Sequence, residues 1–173
     1  MKYVEYLSAR RTRGDKYPEE FNLVIEMPKN SHNKYEYDEE LDVIKLDRVF
    51  FTAMALPYDY GFIPATRSED GDHLDGIVLL DSPAFPGVLV NCRPIGVAYM
   101  VDSGEKDEKI IAVCADDVRY KDVKDLSDLN AHFVKEIEHY FTHYKDLQGK
   151  KVEITKWGGY EEALEVMKAS IED

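Results

Sequence analysis

The 173-residue chain changes its hydrophobic rhythm once, and that change limits what it can fold into. Up to Cys114 the apolar residues come in short runs, each closed by Pro, Gly or a charged turn. "FNLVIEMP" (21–28) reads as a strand stopped by Pro28, since proline cannot donate to a ladder. "HNKYEYDEELDVIKLDRV" (32–49) alternates on both sides of an acidic turn, the pattern of a hairpin. "GIVLLD" and "GVLVNCRPIGVAYMVD" are β-rich and divided by "SPAFPG", and "EKIIAVCAD" is a further strand. Beyond this the spacing turns helical: Leu129, Phe133, Ile137, Tyr140, Phe141, Tyr144 and Leu147 recur at intervals of three and four. Ser127 or Asp128 is placed to cap that helix, and Gly149 to end it. "VEITKW" is a last short strand. "GYEEALEVMKASIED" is a final amphipathic helix, with Leu164, Met167 and Ile171 on one face. Short strands followed by helices imply an α+β domain, a small barrel or strongly curved sheet with helices packed outside. No repeat, linker or low-complexity segment divides it, so one domain over residues 1–173 is expected.

The charge narrows the function. Lys and Arg number 22 against 35 Asp and Glu, a net charge of -13. Phosphate backbones need clustered basic residues, so nucleic acid is not an expected partner. An anionic small substrate remains open, provided that metal ions supply local positive charge. No apolar run approaches the ~20 residues of a membrane span. The N-terminal stretch has no apolar core of signal-peptide length, so no membrane association and a cytoplasmic location are expected. "SARRTR" (8–13) reads as a solvated basic tail. Cys92 and Cys114 form no CxxC pair and sit in strand-like settings, as reduced, partly buried thiols do.

Chemistry concentrates in two acidic stretches. "EDGDHLDG" (69–76) places Asp70, Asp72 and Asp75 directly before an apolar run. In extended backbone, Asp70 and Asp72 would point the same way. Grouped carboxylates stay ionised only beside a cation or strong donors. Oxygen ligands with no His or Cys companion suit Mg²⁺ or Mn²⁺. On its own the stretch also reads as a solvated acidic turn. A calcium loop fails on spacing, because the glycine that it needs at position six would be Asp75. "DSGEKDEK" (102–109) brings Asp102, Asp107 and Lys109 after a second apolar run, and adjacent strands could join the two clusters into a multi-metal site. Lys34 and Glu36 share a strand face by the period-two rule, Arg48 lies in "LDRVF", and Tyr144 and Lys145 end the long helix. Lys, Arg and Tyr donors around metal ions suit phosphoryl chemistry, in which catalysis is largely positioning and charge neutralisation. His139 and His143, four apart on the helix, read as surface or subunit contact, and Trp157 as core or rim packing.

"DGDHLD" resembles the D-x-D-x-x-D signature of the family I soluble inorganic pyrophosphatases. "VIEMP", "KYEYD", "LDRVFFTAM", "YDYGFIP", "CRPIGVAYMVD", "GEKDEK" and "HYKDL" resemble further family blocks, in order, over approximately residues 20–160. The resemblance implies a five-stranded OB-like β-barrel with flanking α-helices and an active site in its mouth. It implies hydrolysis of pyrophosphate by a metal-bound hydroxide, with several Mg²⁺ ions that Mn²⁺ can replace. It also implies a homo-oligomer, with a hexamer favoured. Carried across by motif, Asp70, Asp75 and Asp107 hold the first metal, and Asp75 is shared with a second. Asp102, Asp107 and Glu36 serve metal that arrives with substrate. Asp72 accepts the proton of the nucleophilic water. Lys34, Arg48, Tyr60, Tyr144 and Lys145 contact phosphate, with Lys109 and Glu26 in support. Three positions depart from the family pattern: Leu56 for a Tyr, Asp59 for an Asn and His73 for a Pro. Asp59 is expected to add negative charge beside Tyr60, and His73 to leave its turn freer than Pro would. Two rivals stand beside this reading. One is a metal-dependent phosphohydrolase acting on another diphosphate or a nucleotide; the other is an acidic OB-type binding module with a structural Ca²⁺ turn.

Overall fold

A computed structural model describes residues 13–172. Residues 8–12 of the basic stretch, and with them the N-terminal signal-peptide reading, fall outside the described residues; Arg13, its last residue, donates to the Ala65 carbonyl at 3.1 Å and is not part of a solvated tail. Among the described residues nine strands and two α-helices follow in chain order: β1 (Phe21–Met27), β2 (Asn33–Asp38), β3 (Val43–Val49), β4 (Asp59–Phe62), β5 (Asp75–Leu79), β6 (Leu89–Asp102), β7 (Glu105–Lys106), β8 (Lys109–Cys114), α1 (Ala131–His143), β9 (Val152–Gly158) and α2 (Tyr160–Ala169).

Five of the strands close on themselves. β1 pairs antiparallel with β4 and with β6, β4 with β5, and β8 with β6; β5 and β8 run parallel. The ring β1–β4–β5–β8–β6–β1 is the five-stranded barrel expected from the sequence, and closure removes the exposed edges of an open sheet. β6 spans 14 residues, long enough to serve the ring and also to carry β9 and β7 at its far end. β2 and β3 form a separate two-stranded sheet.

Ring strands are apolar nearly throughout because both of their faces are covered. One cluster packs Met27, Ile77, Ile95, Met100 and Ile111 against Ile137, Tyr140 and Phe141 of α1. A second packs Phe21, Leu23, Ile25, Val97 and Ile110 against Ala163 and Met167 of α2. β4 crosses β1 closely at Gly61, where an added Cβ would lie 1.8 Å from the Val24 carbonyl oxygen.

The helix boundaries differ from those read in the sequence. The cap of α1 is Asn130, whose side chain accepts the His132 amide, not Ser127 or Asp128. Leu126–Asp128 is a separate 3-10 turn capped by Asp125, and the extended backbone of Leu129 keeps the two apart. At the other end α1 stops at His143. Gly149 terminates a further short turn, Asp146–Gln148, and Leu147 is exposed. Ile171 lies beyond α2, in a β-bridge with Thr66. Among the described residues no helix is long and apolar enough to cross a membrane.

Candidate active site

One mouth of the ring collects acidic residues by register. The parallel pairing of β5 with β8 sets Asp75, the first residue of β5, opposite Lys109, the first of β8. Asp102 ends β6, and the chain then turns through Ser103 and Gly104, both at positive φ. The Asp107 amide returns to the Met100 carbonyl at 2.9 Å, which brings Asp107 beside the end of β6. Lys109 ties the group together: its Nζ lies 2.6 Å from Asp75 Oδ2 and also bonds Asp107. Tyr60, from β4, donates its hydroxyl to the same Asp75 oxygen at 2.5 Å. Lys145 bonds Asp102.

The loop between β4 and β5 supplies Asp70 and Asp72, but not from extended backbone. Ser68 to Asp72 form a turn in which the Ser68 amide donates to the Asp72 carbonyl (2.7 Å) and the Gly71 amide to the Ser68 carbonyl (3.0 Å). Gly71 adopts φ 89, a conformation that side chains rarely take. Asp70 Oδ1 accepts the Asp72 amide, as aspartate does in turns. Both carboxylates line the same cleft by turn geometry and not by strand alternation.

The cationic wall comes mainly from the hairpin. Lys34 pairs in register with Arg48 across β2 and β3, and Lys34 Nζ lies 3.4 Å from Glu36 Oε2. Tyr144 follows directly after α1, with Phe50 packed on its ring at 5.7 Å.

These walls enclose a cleft of about 460 Å³. Every residue singled out in the sequence for catalysis, phosphate contact or metal binding lines it: Asp72, Lys34, Arg48, Tyr60, Tyr144, Lys145, Asp70, Asp75, Asp102, Asp107 and Glu36. Lys109, Glu26, Leu56 and His73 line it too. So do Glu39 and Arg67, which sequence reasoning passed over; no motif or spacing marked them, because they meet only in the folded chain. Asp59 is absent from the lining. It is fully buried, and its carboxylate accepts the Ala84 amide at 2.8 Å and the Lys29 amide at 3.4 Å. Strand alternation turns it away from Tyr60, so the negative charge expected beside Tyr60 is spent on loop backbone.

Burial shapes the charge states. Glu26 is pushed up to about 8 by burial and by the nearby Asp75 charge, although it accepts the Tyr37 amide. Burial, with Asp75 and Asp107 beside it, also holds the Tyr60 hydroxyl well above its ordinary value. Asp107 is raised by burial against the pull of Lys109. Lys109 goes up despite its burial, because Asp75 and Asp107 both favour its charge. Asp102 ends below the ordinary range, since the Lys145 bond and charge outweigh its burial.

Among the described residues no three carboxylate, His or Cys side chains already form a closed metal cage. The donor set nevertheless suits a hard divalent cation. The carboxylates line one cleft as oxygen donors, and Asp75 and Asp107 engage Lys109 through one oxygen each. A rim of Lys, Arg and Tyr donors faces them across the cleft.

A closed five-stranded barrel with an acidic, cation-rimmed cleft at one mouth defines the class, the OB-like barrels that carry their site on the open end. The sequence profile of one family, inorganic pyrophosphatase, matches residues 23–173. An inorganic pyrophosphatase of Synechocystis is 44% identical over 152 residues, covering 88% of this chain and 90% of the relative. One of Saccharolobus solfataricus is 46% identical over 162 residues, covering 92% and 94%. The crystal structure of the inorganic pyrophosphatase from Thermus thermophilus superimposes with a TM-score of 0.91 at 46% identity, covering 95% of this chain and 96% of that one. The chain belongs to the inorganic pyrophosphatase family.

Proposed function

We propose that this chain hydrolyses inorganic pyrophosphate to two phosphates, with Mg²⁺ as cofactor and Mn²⁺ able to replace it. The observation that carries the reading is the meeting of five aspartates with Lys34, Arg48, Tyr144 and Lys145 in one cleft. A binding module has no use for phosphate donors placed over clustered carboxylates. Asp70, Asp75 and Asp107 would hold the first ion, with Asp75 shared with a second; Asp102, Asp107 and Glu36 would serve ions arriving with substrate. Bound divalent cations would offset the charge of a polyanion inside an acidic protein and lower the pKa of an attacking water.

The remaining work falls to the chain's own side chains. Asp72 accepts the proton of the water, a role that needs hydrogen-bond reach and no more. Lys34, Arg48, Tyr144 and Lys145 donate to phosphate oxygens, and Tyr60 would contact phosphate by turning its one O–H away from Asp75. Lys109 holds Asp75 and Asp107 in place. Leu56 gives the wall an apolar patch at this point and donates nothing. We further propose that the chain acts as a single domain within a cytoplasmic homo-oligomer, a hexamer being favoured.

Phosphate release from pyrophosphate and from ATP, each with Mg²⁺ and with chelator, tests the activity. Rapid release from pyrophosphate that needs the metal is expected. Release from ATP but none from pyrophosphate would favour the nucleotide phosphohydrolase instead.

A further inference from the structure

The hairpin that carries Lys34 and Arg48 has no backbone ladder to the barrel. A two-stranded ribbon alone is marginally stable, so side chains must fix where it sits. Tyr37 of the hairpin stacks on Phe62 of β4, with centroids 5.4 Å apart and planes 16° off parallel. His73, in the loop of Asp70, Asp72 and Asp75, stacks on the same Phe62 at 4.9 Å and 19°. Phe62 is 3% exposed and belongs to a ring strand, so both partners rest on a rigid support. The imidazole also faces an acceptor at each edge and donates to both as imidazolium: Nδ1 lies 2.8 Å from the Thr66 carbonyl oxygen, and Nε2 lies 2.9 Å from Glu39 Oε1, just past the end of β2. Arg67 reinforces the link, reaching Glu39 and the Gly71 carbonyl at 3.4 Å each.

We propose that His73 is a positioning residue that, through Phe62 and Glu39, couples the carboxylate turn to the hairpin bearing Lys34 and Arg48. His73 is therefore held in place, contrary to the freer turn expected of a residue standing where the family has Pro. The coupling rests on the pyrophosphate reading: a small substrate gripped from both sides depends on the separation of the two walls, and small misplacements are costly. With the coupling lost, binding energy goes into drawing the walls together, so KM rises while kcat holds.

The test compares the unaltered protein with Glu39→Ala and Glu39→Gln, the second keeping an oxygen acceptor for His73. One readout is steady-state kinetics with pyrophosphate. The other is hydrogen exchange of the substrate-free protein over residues 68–72 and 37–42. Glu39→Ala is expected to raise KM about fivefold, the scale of one lost side-chain hydrogen bond, with kcat within about twofold. Exchange should quicken in both segments together, and Glu39→Gln should restore most of both effects. Unchanged exchange in the 68–72 turn, or a fall in kcat at constant KM, would overturn the coupling. Failure of the unaltered protein to hydrolyse pyrophosphate would sink the activity reading instead, while the exchange result would still decide whether the two elements are coupled.

Discussion

Glu26 is a carboxyl placed where a charge is hard to keep. It is 7% exposed on β1 and faces the field of Asp75, and the Tyr37 amide donates to it at 2.8 Å. Its value therefore rises from 4.5 to about 8, and the folded chain binds this proton more tightly than the unfolded chain. Linkage sets the sign: the stability gained from the protonated form is complete below about 4.5 and is lost as the pH rises through about 8. In chelator, stability relative to Glu26→Gln should fall by up to about 1.4 kcal/mol per pH unit across that window. Glutamine keeps the acceptor for Tyr37 but cannot ionise. Denaturant titrations at several pH values measure this, and parallel curves for the two proteins would refute it.

At the scale of elements, β4 packs against β1 with no room for a side chain at Gly61. The Cβ of an alanine at position 61 would meet the Val24 carbonyl carbon at 2.7 Å as well as its oxygen, and backbone cannot swing aside as a side chain can. Gly61→Ala should cost about 3 kcal/mol or more, or prevent folding, as overpacking against a fixed neighbour does. Thermal unfolding checks this, and an unchanged midpoint would contradict the closeness of the β1–β4 contact. That same strand was illegible in the sequence. All four of its residues are buried, so it shows no alternation, and at four residues it is too short for a pattern to emerge. Longer elements were readable for the opposite reason: α1 shows one apolar face over 13 residues, and β1 ends at a proline. The cap at Asn130 was missed because Ser127 and Asp128 are equally good capping types, and only the extended Leu129 separates them from the helix. The acidic site was legible as residues and not as geometry. Spacing picked out Asp70 and Asp72, but a turn around Gly71 brings them to the cleft, and not the extended backbone that would have aligned them. The set as a whole was readable only through family resemblance, since the hairpin, the loop and the end of α1 meet solely in the folded chain.

Across the whole molecule, a chain of net charge -13 is asked to hold a polyanion. Lys109 and Lys145 already stand against the acidic mouth, and the remaining carboxylate charge is what divalent cations would offset. The barrel makes this workable, because closure fixes Asp75 and Asp102 on ring strands, and Asp107 sits in the short connection that leads into β8. The central claim is that these carboxylates hold the cations on which pyrophosphate hydrolysis depends. It is met most directly by the Mg²⁺ activation curve of pyrophosphate turnover in the unaltered protein, Asp75→Asn and Asp72→Asn. Asp75→Asn should shift the curve to higher Mg²⁺ and lower its plateau. Asp72→Asn should lower the plateau about 10²-fold or more with little shift, as loss of a general base does. An Asp75→Asn curve that overlays that of the unaltered protein would contradict the assignment.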